Sequence, residues 1–301
     1  MKRLVRVPAA LLPALAALCA AGLAPAATRG YWVTAEPVQW NAVPNELDAI
    51  HGMRFDRSQT VFPATVYRRY SRDWRRPLGR GRIPGPLVRA RVGDRLLVHF
   101  KNLDTRTRHG HSMHFHGVEY RPSSDGAYLP GFSGRGADVP VGGTFTYRLR
   151  AGRDSAGVWP YHDHATAMDE SIAGGMYSAL SILGRHERPP DREFVVVFAP
   201  FGGFQAIDGR AFVGNTPVFQ SRVGDLVQWD VLAMGDAHHT FHVHGHRWRG
   251  ADGVTADTRT LGPAESFRVR WRENAPGTWL YHCHVEQHMM HGMIGIYRVS
   301  R

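Results

Sequence analysis

Short apolar runs separated by glycine- and proline-marked turns fill most of this chain, and no long helical period appears in it. Residues 83–100 show the pattern. Two apolar stretches flank a Val92-Gly93-Asp94 turn and read as two strands. The same arrangement returns at 216–229, around Val223-Gly224-Asp225. Two further landmarks recur in the same order. Met113-His114-Phe115-His116-Gly117 matches Phe241-His242-Val243-His244-Gly245. Trp159-Pro160-Tyr161-His162-Asp163-His164 matches Trp279-Leu280-Tyr281-His282-Cys283-His284. Self-similarity over this range sets the architecture. It predicts an all-β chain of two duplicated β-sandwiches, one over 83–185 and one over 186–301. Their junction is expected near 184–190, where Arg, Glu and Pro replace the strand pattern. Residues 165–173 are expected to form one short helix. Residues 28–82 are polar and irregular, and the pattern leaves them as an N-terminal extension of unassigned structure, ordered in part around Trp32, Trp40 and Tyr67.

Residues 1–27 read as a secretory signal. Lys2, Arg3 and Arg6 form a basic start, an apolar run follows from Ala9 to Leu23, and Ala24-Pro25-Ala26 resembles a small-residue cleavage site. The apolar run is short for a membrane span, so no stable membrane anchor is expected. This implies a secreted, periplasmic or cell-surface protein. The chain has two cysteines, and removal of the signal takes Cys19 and leaves Cys283 alone. An internal disulfide is then impossible. A lone exported thiol is a liability unless a metal occupies it.

The net charge of +11 includes a local run at Arg68, Arg69, Arg72, Arg75, Arg76, Arg80 and Arg82. Such a run suits anionic polymers, and equally a solvated basic surface. No nucleic-acid motif or series of interleaved stacking aromatics accompanies it, so a nucleic-acid partner is not expected.

The candidate chemistry lies in 18 histidines, which bunch, and in Cys283. Cys283 sits between His282 and His284, with His288 five residues later and Met293 ten later. Thiolate, imidazole and a weak thioether are the donors of a blue electron-transfer copper site, which needs one more imidazole. The aromatic run ending at Cys283 reads as a strand, in which side chains alternate faces. Cys283 then faces one way, and His282 and His284 the other, toward a different metal centre. His239 has odd spacing from His242 and His244, so it shares the side of Cys283. The first site is therefore Cys283, His239, His288 and axial Met293. Four His-x-His pairs remain: His114/His116, His162/His164, His242/His244 and His282/His284. Each places two imidazoles on one strand face. One pair alone is coincidence or half a zinc site. Two pairs per repeat, in matching positions, supply eight imidazoles, enough to hold three coppers.

These motifs, in this order, resemble the multicopper oxidases. The size and the blue site confined to the second copy resemble the two-domain, or small, laccases, over about residues 83–301. The resemblance implies two cupredoxin-like Greek-key domains and four coppers per subunit. It implies that His114 and His242 hold a type 2 copper, and that His116, His162, His164, His244, His282 and His284 hold a type 3 pair. It also implies that Cys283, His282 and His284 carry electrons, that Asp125 and Asp257 relay protons, and that Tyr120 offers a redox-active phenol. The expected partners are O2, a small electron donor such as a phenol, and two further copies of the chain in a homotrimer. Two other readings stand beside it. One is a copper nitrite reductase-like enzyme, which would carry its blue site in the first domain, where this chain has Asp163. The other is a non-catalytic copper-binding electron carrier, which needs no set of eight imidazoles.

Overall fold

A computed structural model describes residues 26–250 and 253–301. The expected export signal lies outside the described residues except for its last two. The chain is all-β, as the turn-rich pattern implies, and folds as two cupredoxin-like sandwiches.

The first sandwich uses β1 (Thr28–Asn41), β2 (Val61–Tyr70), β3 (Val88–Arg91), β4 (Arg95–Asn102), β5 (His114–Phe115), β6 (Glu119–Tyr120), β7 (Thr144–Arg150), β8 (Gly157–His162) and β9 (Tyr177–Leu183). One sheet runs β2-β1-β4-β7-β6 and the other β3-β9-β8-β5. The segment that the pattern left unassigned thus supplies β1 and β2, two long strands. β1 lies parallel to β4, with Thr28 opposite Arg95 and Ala35 opposite Asn102. β4 shows the alternation of a half-buried strand, with Leu96, Val98 and Phe100 in the core.

The second sandwich uses β10 (Arg192–Phe201), β11 (Phe204–Ile207), β12 (Val218–Arg222), β13 (Leu226–Ala233), β14 (His239–Val243), β15 (Thr258–Leu261), β16 (Ser266–Arg272), β17 (Gly277–Cys283) and β18 (Ile294–Ser300). Its sheets run β11-β10-β13-β16 and β12-β18-β17-β14-β15. The duplication extends to pairing. β10 lies parallel to β13 as β1 does to β4, and β12 lies parallel to β18 as β3 does to β9. Helices are short and include, besides a single turn at Arg57–Thr60, α1 (Met168–Ala173), where one was expected, and α2 (Glu286–Met290).

β13 is buried along almost its whole length because its own sandwich covers one face and the other sandwich covers the second. Trp229 and Val231 face the core of their own sandwich, whereas Leu232 joins Trp40, Val66, Tyr177 and Val197 in a third core between the domains. Polar groups pin that interface. Arg268 bonds Asp230 at 2.8 Å, the Ser181 hydroxyl at 2.7 Å and the Ile182 carbonyl at 2.8 Å. Burial pushes the Asp230 carboxyl up and Arg268 pulls it back. Removing one partner of such a buried pair strands a charge, which ties the two domains to one arrangement.

Candidate metal centre

Cross-strand pairing builds the histidine groups. β5 and β8 place His114 opposite His162, and β14 and β17 place His242 opposite His282. In an antiparallel ladder such residues share a face, so each domain gathers its two His-x-His pairs into one quartet. Ring centroids from His114 to His116, His162 and His164 lie at 5.0, 5.5 and 5.3 Å. Those from His242 to His244, His282 and His284 lie at 5.2, 5.4 and 5.5 Å. Nε2 faces Nε2 at 3.2 Å between His116 and His162, and at 3.1 Å between His244 and His282.

The far nitrogens are anchored. Nδ1 of His114 bonds the Asp125 carbonyl at 2.8 Å, and Nδ1 of His242 bonds the Asp257 carbonyl at 2.7 Å. Nδ1 of His162 bonds the Asp163 carbonyl at 2.8 Å, and Nδ1 of His282 bonds the Cys283 carbonyl at 3.0 Å. A carbonyl that takes the Nδ1 proton fixes the tautomer and leaves Nε2 as a metal donor. The glycine of each His-x-His-Gly motif has its own reason. Gly117 and Gly245 both sit at φ +69°, and a Cβ there would lie 2.0 Å from Trp159 and 2.6 Å from Trp279. Only glycine takes that backbone and that close approach.

On the opposite face of β17, Cys283 points into the sandwich beside Phe241 and Met293, all fully buried. Its Sγ lies 3.7 Å from His239 Nδ1 and 3.6 Å from His288 Nδ1, and the two nitrogens are 3.2 Å apart. A point equidistant from the three atoms is about 2 Å from each, the length of a bond from a transition metal to such donors. The donor set fits copper. The Cys283 backbone N–H donates to the Met293 carbonyl at 3.1 Å, which seats Met293 beside the group.

Burial, and then neighbouring imidazoles, pull His116 and His239 down to about 4. Burial likewise brings His162 and His282 to about 4, against the pull of the carbonyls on their Nδ1 atoms. These four are neutral near pH 7, as metal ligands must be. Burial pushes the Cys283 thiol up, so a bound cation is what would hold it as thiolate. A pH dependence follows for the copper-free protein. In the unfolded chain the imidazoles protonate near their ordinary 6.5, but in the fold only near 4. Their contribution is complete above pH 6.5 and is lost as the pH falls from there toward 4. His111, Asp138, Asp208 and Asp230, whose pKa values are raised, run the other way, against seven lowered imidazoles, the four above together with His99, His244 and His288. Scanning calorimetry of the copper-free protein should show a falling Tm over that window; a constant or rising Tm would contradict it.

The residues expected near the quartets divide by position. Tyr120 lies 6.2 Å from the His114 ring. Burial, with Asp125 beside it, pushes its phenol up to about 12. Asp125 Oδ1 is 3.2 Å from His114 Nδ1. The Asp257 carboxylate accepts from the Thr258 hydroxyl at 3.2 Å, so Asp257 meets His242 through its backbone.

Sequence reasoning missed one constellation. In the first domain His111 stands where His239 stands in the second, and Asp163 where Cys283 stands. His111 is buried, with Nδ1 at 2.6 Å from Asp163 and Nε2 at 3.0 Å from Asp104. Burial lowers its pKa, but the two carboxylates outweigh burial and raise it. An imidazole bridged between two carboxyl groups thus occupies the place that a thiolate and a metal would take. The Asp163 N–H donates to Met176 as the Cys283 N–H donates to Met293. The repeat itself carried the signal, since it aligns His111 with His239.

Residues 78–187 and 188–301 each match a family model described as multicopper oxidase. The ferroxidase HEPHL1 of Homo sapiens is 29% identical over 97% of this chain and 31% of its own length. A probable nitrite reductase-hydroxylamine oxidoreductase fusion protein of Kuenenia stuttgartiensis is 29% identical over 72% of this chain and 28% of its own. The chain thus spans under a third of these curated relatives. A solved multicopper oxidase crystal structure superposes with a TM-score of 0.71 at 25% identity, covering 91% of this chain and 89% of that one. With both sandwiches matched in sequence and in fold, the chain belongs to the multicopper oxidase family.

Proposed function

We propose that this protein is a laccase-like oxidase that couples four one-electron oxidations of a phenolic or similar donor to the reduction of O2 to water. The observation that carries this reading is one group of a cysteine and two histidines, backed by two complete histidine quartets. We assign Cys283, His239, His288 and Met293 to a type 1 copper, and His114 and His242 to a type 2 copper. The other six quartet histidines, His116, His162, His164, His244, His282 and His284, are assigned to a type 3 pair. Copper held by these residues would supply single-electron acceptance at the first site and oxygen reduction at the cluster. The chain supplies the rest. Cys283 and its bonded neighbours His282 and His284 are a covalent route between the two faces of β17. Tyr120, protonated at neutral pH, and Asp125 beside it are assigned to proton supply near His114, and Asp257 to the same role near His242.

The relatives bring two rivals. A ferroxidase would use the same sites with a ferrous donor, which fits the name of the human relative. Nitrite reduction fits the name of the Kuenenia relative. Against the latter stand Asp163, where a first-domain blue site would need its thiolate, and the eight histidines. The deciding measurement is oxygen and nitrite consumption by the copper-loaded protein with a phenolic donor and with ferrous ion. O2 uptake at four phenol equivalents per O2, with nitrite untouched, is expected. Iron-only turnover would favour the ferroxidase; nitrite loss without O2 uptake would overturn the oxidase reading. Copper binding with neither would favour an electron carrier.

The same reading includes assembly as a homotrimer. Among the described residues, no ring contact or hydrogen bond joins the first quartet to the second. The cavity of about 460 Å³ before His114 and His116 is walled instead by Arg259, Thr260, Leu261 and Ser266. Beside the first quartet, the loop whose Tyr128 N–H bonds the His164 carbonyl leaves Leu129 57% and Phe132 85% exposed. Apolar side chains exposed together mark a contact surface. We assign that surface to the second domain of a neighbouring copy, which would bring its quartet to complete the cluster.

A further inference from the structure

The arginine run of residues 68–82 divides between an exposed part, Arg72, Arg75 and Arg76, and a part that faces a cleft, Arg68, Arg69, Arg80 and Arg82. The cleft has a volume of about 750 Å³, lies between the two sandwiches, and shares no lining residue with either quartet. Arg68, Arg69, Arg80, Arg82, Arg89 and Arg210 reach it, against two carboxylates, Glu193 and Asp208. Arg68 is neutralised by Glu36 at 3.0 Å and Arg89 by Glu193 at 2.7 Å. The other four have no carboxylate within ion-pair distance among the described residues.

Two of these four are held in place. Arg69 lies over the Tyr31 ring at 4.0 Å, and its buried Nε has no hydrogen-bond partner. Arg210 lies over the Trp40 ring at 4.1 Å and donates to the Asn41 carbonyl. Stacking on an aromatic face orders a guanidinium and leaves its edge for an anion. Asp208, on the cleft floor, accepts the Val197 N–H at 2.8 Å. Burial pushes its carboxyl up to about 7, so it offsets only part of the positive charge at neutral pH. Four unpaired guanidinium groups converging on one cleft favour a ligand that brings charge of its own. A volume in the small-molecule range points away from a polymer.

We propose that this interdomain cleft binds a small organic polyanion carrying two or more carboxylates or phosphates. The site is independent of the copper chemistry, and its test does not depend on oxidase activity. The copper-loaded protein is titrated calorimetrically at low ionic strength with two probes, benzene-1,3,5-tricarboxylate and glucose 1,6-bisphosphate. The titration is repeated on Arg80→Ala/Arg82→Ala and on Arg75→Ala/Arg76→Ala, which removes the same charge outside the cleft. At least one probe should bind once per chain, and the responding probe identifies carboxylate or phosphate. The cleft pair should weaken it by about tenfold or more, and the outside pair by less than about threefold. Blue absorption checks that each variant is folded; if the cleft pair fails that check, Arg80→Gln replaces it. No binding of either probe, binding untouched by the cleft pair, or equal weakening by both pairs would overturn the proposal.

Discussion

Cys283→Ser is expected to remove the blue absorption and the oxidase activity together, while leaving a folded chain that still holds copper in its quartets. The Cys283 sulfur is the anionic soft donor placed 3.6–3.7 Å from His239 and His288. A serine oxygen is a hard donor of higher pKa and does not replace a thiolate at such a site. The same residue is bonded directly to His282 and His284, so one substitution removes both the ligand and the route. The fold should persist. Cys283 Sγ already accepts the Thr240 N–H at 3.4 Å, and a hydroxyl would inherit that bond. The cost of the buried hydroxyl is about 1–3 kcal/mol. Absorption, paramagnetic resonance, copper counting and donor oxidation read each part separately. His242→Ala is the reciprocal arm, expected to stay blue while O2 uptake falls to background. A Cys283→Ser protein that remains blue and active would sink the assignment.

Phe132→Glu should convert the proposed trimer into monomers and abolish oxygen reduction without touching the blue site. Phe132 is 85% exposed in the single chain, so the substitution costs the isolated fold little. In the proposed contact it places an unpaired carboxylate against an apolar surface, at a cost of several kcal/mol per interface. The contact is heterologous, and three such interfaces close the ring, so weakening each one opens the whole. Light scattering should report a mass near that of one chain instead of three. Copper counting should show loss of type 2 and type 3 copper with the blue band retained. A monomer that reduces O2 at an undiminished rate would overturn both the assembly and the interfacial cluster.

Much of the site was legible because strand geometry has a period of two. That period separated Cys283 from His282 and His284, and it placed His239 with the cysteine through its odd spacing from His242 and His244. The repeat made the two-sandwich architecture legible in the same way. His111 shows the limit. Its alignment with His239 was available, but its role required knowing that Asp104 and Asp163 close on it from either side. Those contacts depend on packing across the sandwich, which local pattern does not encode.

Residues 28–82 show the same limit at the level of strands. β1 pairs with β4 across more than fifty intervening residues, and its two sheet neighbours bury it more than its own alternation signals. The arginine run read as a basic stretch, and only the packing of one sandwich on the other turned part of it into the wall of a cleft. Ligand identity and strand face are local properties, set by side-chain chemistry and backbone period. Which faces meet, which charges converge and which cavities remain are set by long-range contacts, whose free energy belongs to pairs of distant segments rather than to any one stretch of chain.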